Sequence, residues 1–139
     1  MTLIINEVTG NVQKPSSSAS TYKPDQLIAG RVPQVTDNAT LVSGVGAIKR
    51  GTVLGVISAS GKYTVSATAS TDGSEVPTAI LVDDADSTSG DVTIGVYELG
   101  EFNMNAITIG TGWSLPTIKS PLRSKGIYLK PSVIAADPS

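Results

Sequence analysis

From Leu27 onward, short apolar runs alternate along this chain with glycine-containing polar segments. Runs rich in Val, Ile, Thr and Tyr, bounded by turn residues, are typical of β-strands. The segment 92–97 alternates Val, Ile and Val with Thr, Gly and Tyr, which is the period of a strand with one buried face. The pattern predicts six strands, at Thr52–Ile57, Lys62–Ala69, Pro77–Asp83, Asp91–Leu99, Glu101–Ile109 and Gly126–Lys130.

The turns between these strands are predicted from residues that reach unusual backbone angles or bond to their own backbone. They are Gly61, Asp72-Gly73, Ser89-Gly90 and Gly100. By contrast, the run Ala79–Val82 is apolar on both faces and has no such residue. We therefore expect this run to lie in the centre of the molecule.

A single helical turn is predicted near the C-terminal end. Ser120 is a suitable N-cap, Pro121 fits the first helical position, and Gly126 suits the end of a turn that runs to Lys125. Because proline lacks a backbone N–H, we expect Pro116 and Pro121 to prevent a longer helix. The sequence thus predicts a mostly β fold, a small single-domain β-sandwich or barrel-like structure with one short helical turn.

The first 25 residues lack the strand pattern of the rest of the chain. We therefore predict an extended N-terminal arm and linker over residues 1–25, followed by a β-rich domain over residues 26–139. Residues 13–21 are polar and serine-rich, with too little apolar surface to offset the entropy of ordering alone. A small apolar group precedes them. One interpretation is a frayed terminus, and the other is a tethered arm that docks on a neighbouring chain. The candidate contact residues are Leu3, Ile4, Ile5, Val8 and Val12.

Composition argues against several classes of function. The 139 residues include no histidine and no cysteine, which removes the commonest general base, the commonest zinc ligands and any disulfide. Serine–lysine or carboxylate chemistry remains possible in principle, but we expect no enzyme and no cofactor. The ten basic residues form no dense cluster and the net charge is −2, so nucleic acid is not an expected partner. The apolar runs are far too short for a membrane span, and the basic leader of a secretory signal is missing at Met1.

Acidic and basic residues are unevenly distributed. Eight acidic residues and no basic one lie between Tyr63 and Ile118, whereas Lys119–Lys130 has four basic residues and no acidic one. Either the fold brings the two groups together within one subunit, or they form complementary faces on adjacent copies. Arg123 and Lys125 are the candidates for such a contact.

The densest acidic group, Asp83, Asp84, Asp86 and Asp91, fits either a solvated turn or a calcium loop, and its spacing favours the turn.

Trp113 lies in a turn-rich segment. A lone tryptophan is typical of a core or a subunit interface, and we take this residue as a candidate for a trimer interface. The alternative is a platform on which a sugar or a base stacks. Sugar-binding modules usually present more aromatic side chains than the six of this chain.

Five pieces of the sequence together resemble the lambda-type head decoration proteins of tailed bacteriophages. They are the string Gly51–Gly55, the turn Asp72–Ser74, the run Ala79–Val82, Tyr97, and Gly100–Asn103. The similarity runs from about Leu27 to Lys130. It depends on the order and spacing of the pieces, since each is common alone.

The resemblance implies a structural virion protein that binds the outside of an expanded capsid as a homotrimer and stabilises it against the pressure of packed DNA. Its partners would be the major capsid protein and copies of itself, and it would be made in the host cytoplasm. The alternatives are a tail or fibre component and a carbohydrate-binding adhesive module. Neither the capsid geometry nor a secondary glycan-binding role follows from the sequence.

Overall fold

The computed structural model describes residues 27–30 and 33–131. These residues form eight strands and one helix, whose order along the chain is β1 Val35–Leu41, β2 Ala47–Ile48, β3 Val53–Val56, β4 Tyr63–Val65, β5 Pro77–Leu81, β6 Ala85–Asp86, β7 Val92–Asn103, α1 Leu115–Ser124 and β8 Ile127–Lys130. The mostly β fold expected from the sequence is therefore confirmed. No helix within the described residues is long and apolar enough to cross a membrane.

Five of the strands close into a barrel. Neighbouring strands pair in the order β1-β4-β3-β5-β7, and β1 pairs in turn with β7 along the whole of its length. This last pairing leaves no free edge in the ring, because each of its strands has two neighbours. Strand β8 extends the sheet beyond the ring by pairing in parallel with the C-terminal end of β7. Strands β2 and β6 form a separate antiparallel ribbon.

One hydrophobic core fills the barrel. Every strand of the ring contributes a side chain to it, and its buried members are Leu41, Leu54, Ala79, Leu81, Ile94 and Val96. Tyr63 and Val65 of β4 pack against this cluster, as do Ile48 and Ala85 of the ribbon. The interior is filled with aliphatic side chains, as the low aromatic content predicts.

A second core lies outside the barrel, between its wall and the unit formed by α1 and β8. The barrel contributes Val53, Ile80 and Tyr97, which point the other way from their neighbours in the first core. The covering elements contribute Ile118, Leu122, Ile127 and Leu129. Strand β5 is thus covered on both faces, and Ala79, Ile80 and Leu81 are fully buried. The central position expected for this run is confirmed.

A bulge in β7 joins the two cores. Val35 pairs with Leu99 but Thr36 pairs with Tyr97, so Glu98 is an extra residue on β7. An extra residue reverses which face the following side chains occupy. As a result Phe102 lies on the same side as Tyr97, with ring centroids 5.2 Å apart, although the two are five positions apart.

The structure corrects the expected boundary at Gly100. This residue lies inside β7 and not in a turn between two strands. Its φ is +148°, a value that favours glycine, and a Cβ there would lie 3.1 Å from the Phe102 ring. The glycine permits close packing within a continuous strand.

Strand β1 is a further difference between the structure and the predicted strands, since no strand was predicted at Val35–Leu41.

The helix is also longer than the predicted single turn. It begins after Ser114, whose backbone N–H donates to the Thr117 hydroxyl at 3.0 Å, and not after Ser120. Pro116 lies in the first turn, where no N–H is needed, and Pro121 lies inside the helix. Ile118 and Leu122 are one turn apart and fully buried against the second core. This burial offsets the hydrogen bond lost at Pro121.

Gly55 in β3 generates the first testable prediction. A Cβ at this buried position would lie 2.2 Å from the backbone carbonyl oxygen of Ser74, which cannot move aside like a side chain. We expect Gly55→Ala to lower the free energy of unfolding by about 1–3 kcal/mol, the usual cost of overpacking. The matched control is Gly90→Ala, where nothing lies within 4 Å. Urea unfolding of both variants measures this, and an equal loss in both would contradict the packing argument.

Candidate interaction surfaces

Three of the four acidic residues in the segment 83–91 have separate structural partners, namely Asp84, Asp86 and Asp91. Asp86 accepts hydrogen bonds from the backbone and hydroxyl of Thr88, and Asp84 accepts from the Arg50 backbone N–H at 2.7 Å. In the described residues, no three carboxylates converge on a point that could hold a metal ion. The hydrogen bonds of Asp84 and Asp86 to nearby backbone and hydroxyl groups are those of turn carboxylates.

Hydrogen bonding also sets the charge state of these turn carboxylates. The Thr88 hydroxyl, and next the Thr88 backbone N–H, lower the pKa of Asp86 below its usual range. The ammonium of Lys62 is the largest cause of a lowered pKa at Asp91, followed by the Ser43 backbone N–H. Both groups are thus anionic well into the acidic range, because their partners bind the charged form.

Arg50 connects the ribbon with the second core. Its guanidinium donates to the Val82 carbonyl at 2.7 Å and to the Tyr97 hydroxyl at 3.0 Å, and it lies 5.7 Å from the centre of the Tyr97 ring. Its backbone N–H is the donor to Asp84. This role of Arg50 was not predictable from the sequence, because the three partners are 32 to 47 positions away.

Trp113 is half-buried where the chain enters α1. Its ring packs against the second core, and its indole N–H donates to the Ser66 hydroxyl at 3.3 Å. The side chain thus has a structural role within the subunit, which agrees with the core interpretation. Its exposed part remains available to a neighbouring molecule.

The basic segment is only partly neutralised within the subunit. Lys130 Nζ lies 2.9 Å from Glu101 Oε1, so one of the four cations has a partner from the acidic group. In residues 27–30 and 33–131, no carboxylate lies within ion-pair distance of Lys119, Arg123 or Lys125. Arg123 and Lys125 are exposed in and after the last turn of α1, where positive charge interacts favourably with the helix dipole.

A surface groove of about 430 Å³ follows the junction of α1 and β8. We call it the basic groove, and its lining residues are Glu101, Lys119, Arg123, Tyr128, Leu129, Lys130 and Pro131. Tyr128 is 39% exposed, one of three large hydrophobic residues that are exposed in the described part of the chain. The alternation Ile-Tyr-Leu-Lys in β8 was the available signal for this outward aromatic residue.

A smaller concavity of about 260 Å³ lies on the ribbon at the other end of β7. We call it the ribbon concavity, and its lining residues are Ala47, Ile48, Lys49, Asp84, Ala85 and Asp86. Small apolar side chains are flanked there by two carboxylates. Lys49 Nζ lies 3.9 Å from Asp84, with both side chains largely exposed.

Leu27 and Lys130, near the two ends of the described chain, both pair with the C-terminal end of β7. Asn103 donates its backbone N–H to the Leu27 carbonyl at 2.7 Å, and it also pairs with Lys130 of β8. Leu27 is buried in the second core and anchors the entry of the chain. The candidate arm residues Leu3, Ile4, Ile5, Val8 and Val12 lie outside the described residues.

Comparison with known proteins identifies one family. Residues 17–122 match the family model of bacteriophage lambda head decoration protein D. The match covers most of the chain, including the barrel and nearly all of α1. No curated protein matches the chain at a significant level.

The Lys62–Asp91 contact generates a prediction on acid stability. Because the pKa of Asp91 is lowered in the folded state, its contribution is present above the ordinary carboxyl pKa of about 4 and is lost as the pH falls through the lowered value. We expect Asp91→Asn to be less stable than the unsubstituted protein at pH 7, with the difference shrinking on acidification. Urea unfolding at several pH values measures this. The exposed Asp83→Asn variant is the control, and an equally pH-dependent deficit there would contradict the assignment.

Proposed function

The chain belongs to the bacteriophage lambda head decoration protein D family, and from this premise we propose that it binds the exterior of the expanded capsid as a homotrimer and stabilises the shell against packed DNA. The family is one of structural phage proteins that decorate the capsid. The match over residues 17–122 is the observation that carries the proposal. The trimer, the stabilisation and the contact residues are the parts that need experimental tests.

The mechanical argument for a trimer is multivalency. A shell under internal pressure fails where its subunits part, and a trimer that bridges several subunits opposes that parting at three points. After one arm has docked, the other two bind at a high effective concentration, so each contact can be weak. An extended arm that adds to a sheet edge supplies main-chain hydrogen bonds without strict demands on sequence.

We propose that the arm is separable from the folded domain. The described members of both cores lie from Leu27 onward, and Leu27 itself bonds to the end of β7. We propose that the preceding residues make the main contact with the shell, with Leu3, Ile4 and Ile5 as the apolar anchor. Burying such side chains contributes about 1.5–3 kcal/mol each, partly offset by about 1–2 kcal/mol per residue for ordering the backbone. A single arm is therefore marginal, and three are not.

Deletion of residues 2–14 tests the arm and the function together. We expect the full chain to bind purified expanded heads that lack a decoration protein, and the truncated chain to lose most of this binding while its circular dichroism and unfolding midpoint stay unchanged. Co-sedimentation with the heads measures occupancy. Full occupancy by the truncated chain would place attachment on the barrel, and no binding by the full chain would contradict the decoration role itself.

Trp113, Arg123 and Lys125 are proposed to lie at the trimer interface. Exposed ion pairs contribute only about 0–1 kcal/mol each, so single changes should have small effects. We expect Arg123→Glu with Lys125→Glu to weaken association more at low salt than at high salt, because mobile ions screen exposed charges. Sedimentation equilibrium at two salt concentrations measures the shift. A loss that does not depend on salt would contradict an electrostatic role for this pair.

A further inference from the structure

Two differently shaped surfaces lie at opposite ends of β7. Tyr128 of the basic groove is in register with Glu101, near the C-terminal end of that strand. Strand β6 of the ribbon follows β5 in the chain, and Val82, which lies between the two strands, donates its backbone N–H to the Gly95 carbonyl at 3.0 Å. Gly95 and Glu101 are six positions apart on β7, which is about 20 Å along a strand. The two surfaces of one subunit therefore cannot meet.

The chemistry of the two surfaces is complementary. The basic groove presents the exposed phenol ring of Tyr128 with Lys119 and Arg123 in the same lining, and no described carboxylate is an ion-pair partner of either cation. The ribbon concavity presents a floor of Ala47, Ile48 and Ala85 between carboxylates. An aromatic side chain supplies a large apolar area with a polar tip, which suits an apolar hollow with a polar rim.

We propose that copies of this chain associate head to tail, with Tyr128 of one copy inserted into the ribbon concavity of the next. Lys119 and Arg123 of the same groove then lie beside Asp84 and Asp86 of that neighbour. The inference rests on the proposed trimer and specifies the two surfaces that form its interface. Such a contact joins two different patches of the surface. It closes into a ring of three only when neighbouring copies are related by a rotation of one third of a turn.

A second copy is the occupant that the charges favour. The ribbon concavity is lined by Asp84 and Asp86 against Lys49, and the exposed Asp83 directly precedes Asp84 in the chain, so negative charge is in excess there. The groove end carries an excess of positive charge, since Glu101 is the one carboxylate in its lining. Charge pairs at the rim favour this orientation over the reverse one, in which like charges meet. Tyr128 supplies the apolar contact.

Cross-linking tests the proposal directly because the chain contains no cysteine. The variant Ala47→Cys with Pro131→Cys keeps Tyr128 and places one cysteine in each surface. It is treated with a bismaleimide shorter than the separation within one subunit, both in solution and on decorated heads. We expect covalent dimers and trimers, with no species beyond the trimer. Each single-cysteine variant is the control and should stay monomeric on a denaturing gel, although it reacts with a maleimide dye.

A second experiment removes the side chain of Tyr128, the proposed anchor of the contact. We expect Tyr128→Ala to weaken association by about tenfold or more, as removal of a central aromatic anchor usually does. Val76→Ala is the matched control, because Val76 is a similarly exposed apolar residue away from both surfaces. Its association should be unchanged, and both variants should keep the unfolding midpoint of the unsubstituted protein.

The outcomes separate this inference from the proposed function. Absence of cross-linked species both in solution and on heads, with both cysteines reactive to dye, would overturn the head-to-tail contact. Cross-links in the Pro131→Cys single variant would overturn it as well, since they would indicate a symmetric contact. In either case binding of the full chain to heads would still support decoration. Cross-linked trimers without head binding would leave the contact standing and remove the decoration role.

Discussion

The bulge at Glu98 is the constraint on which the rest of the structure depends. Before it, Ile94 and Val96 of β7 fill the barrel while Tyr97 faces outward. After it, Phe102 joins Tyr97 on the outer side, and the same strand pairs with β8. Without the extra residue, Phe102 would point away from α1, and the second core would lose its central aromatic pair. One strand of 12 residues thereby serves two cores.

Closure of the barrel explains how a chain with few aromatic residues and no disulfide holds together. The pairing of β1 with β7 extends over seven residues of β1, and the first four of these are exposed. Backbone hydrogen bonds therefore hold that part of β1, since its side chains bury little surface. The same pairing removes two free edges, which would otherwise be sites for non-specific strand addition.

How far the sequence predicted the fold follows from these forces. Strands β3, β4, β5, β7 and β8 were found because burial on one or both faces leaves a periodic pattern. Strand β1, with the sequence VTDNATL, was missed because its pairing partner is more than fifty residues away. Gly100 was assigned to a turn because the sequence cannot distinguish a glycine that turns from one that makes room for Phe102. The helix was predicted too short, because the prolines were weighed without the burial of Ile118 and Leu122.

The candidate surfaces were predictable only in part, for a related reason. Exposure of Arg123 and Lys125 follows from charge, whereas the grooves combine residues distant in sequence. The described surface also offers little for tight binding, because its exposed large hydrophobic residues are Val35, Val76 and Tyr128, which are far apart in sequence. The described part of one copy thus lacks the apolar patch of a typical stable interface. In the proposed trimer, weak contacts that repeat around a ring and arms that hold three copies at one place would supply by effective concentration what each surface lacks in area. If so, the shell and the trimer would each stabilise the other, and full affinity would require both.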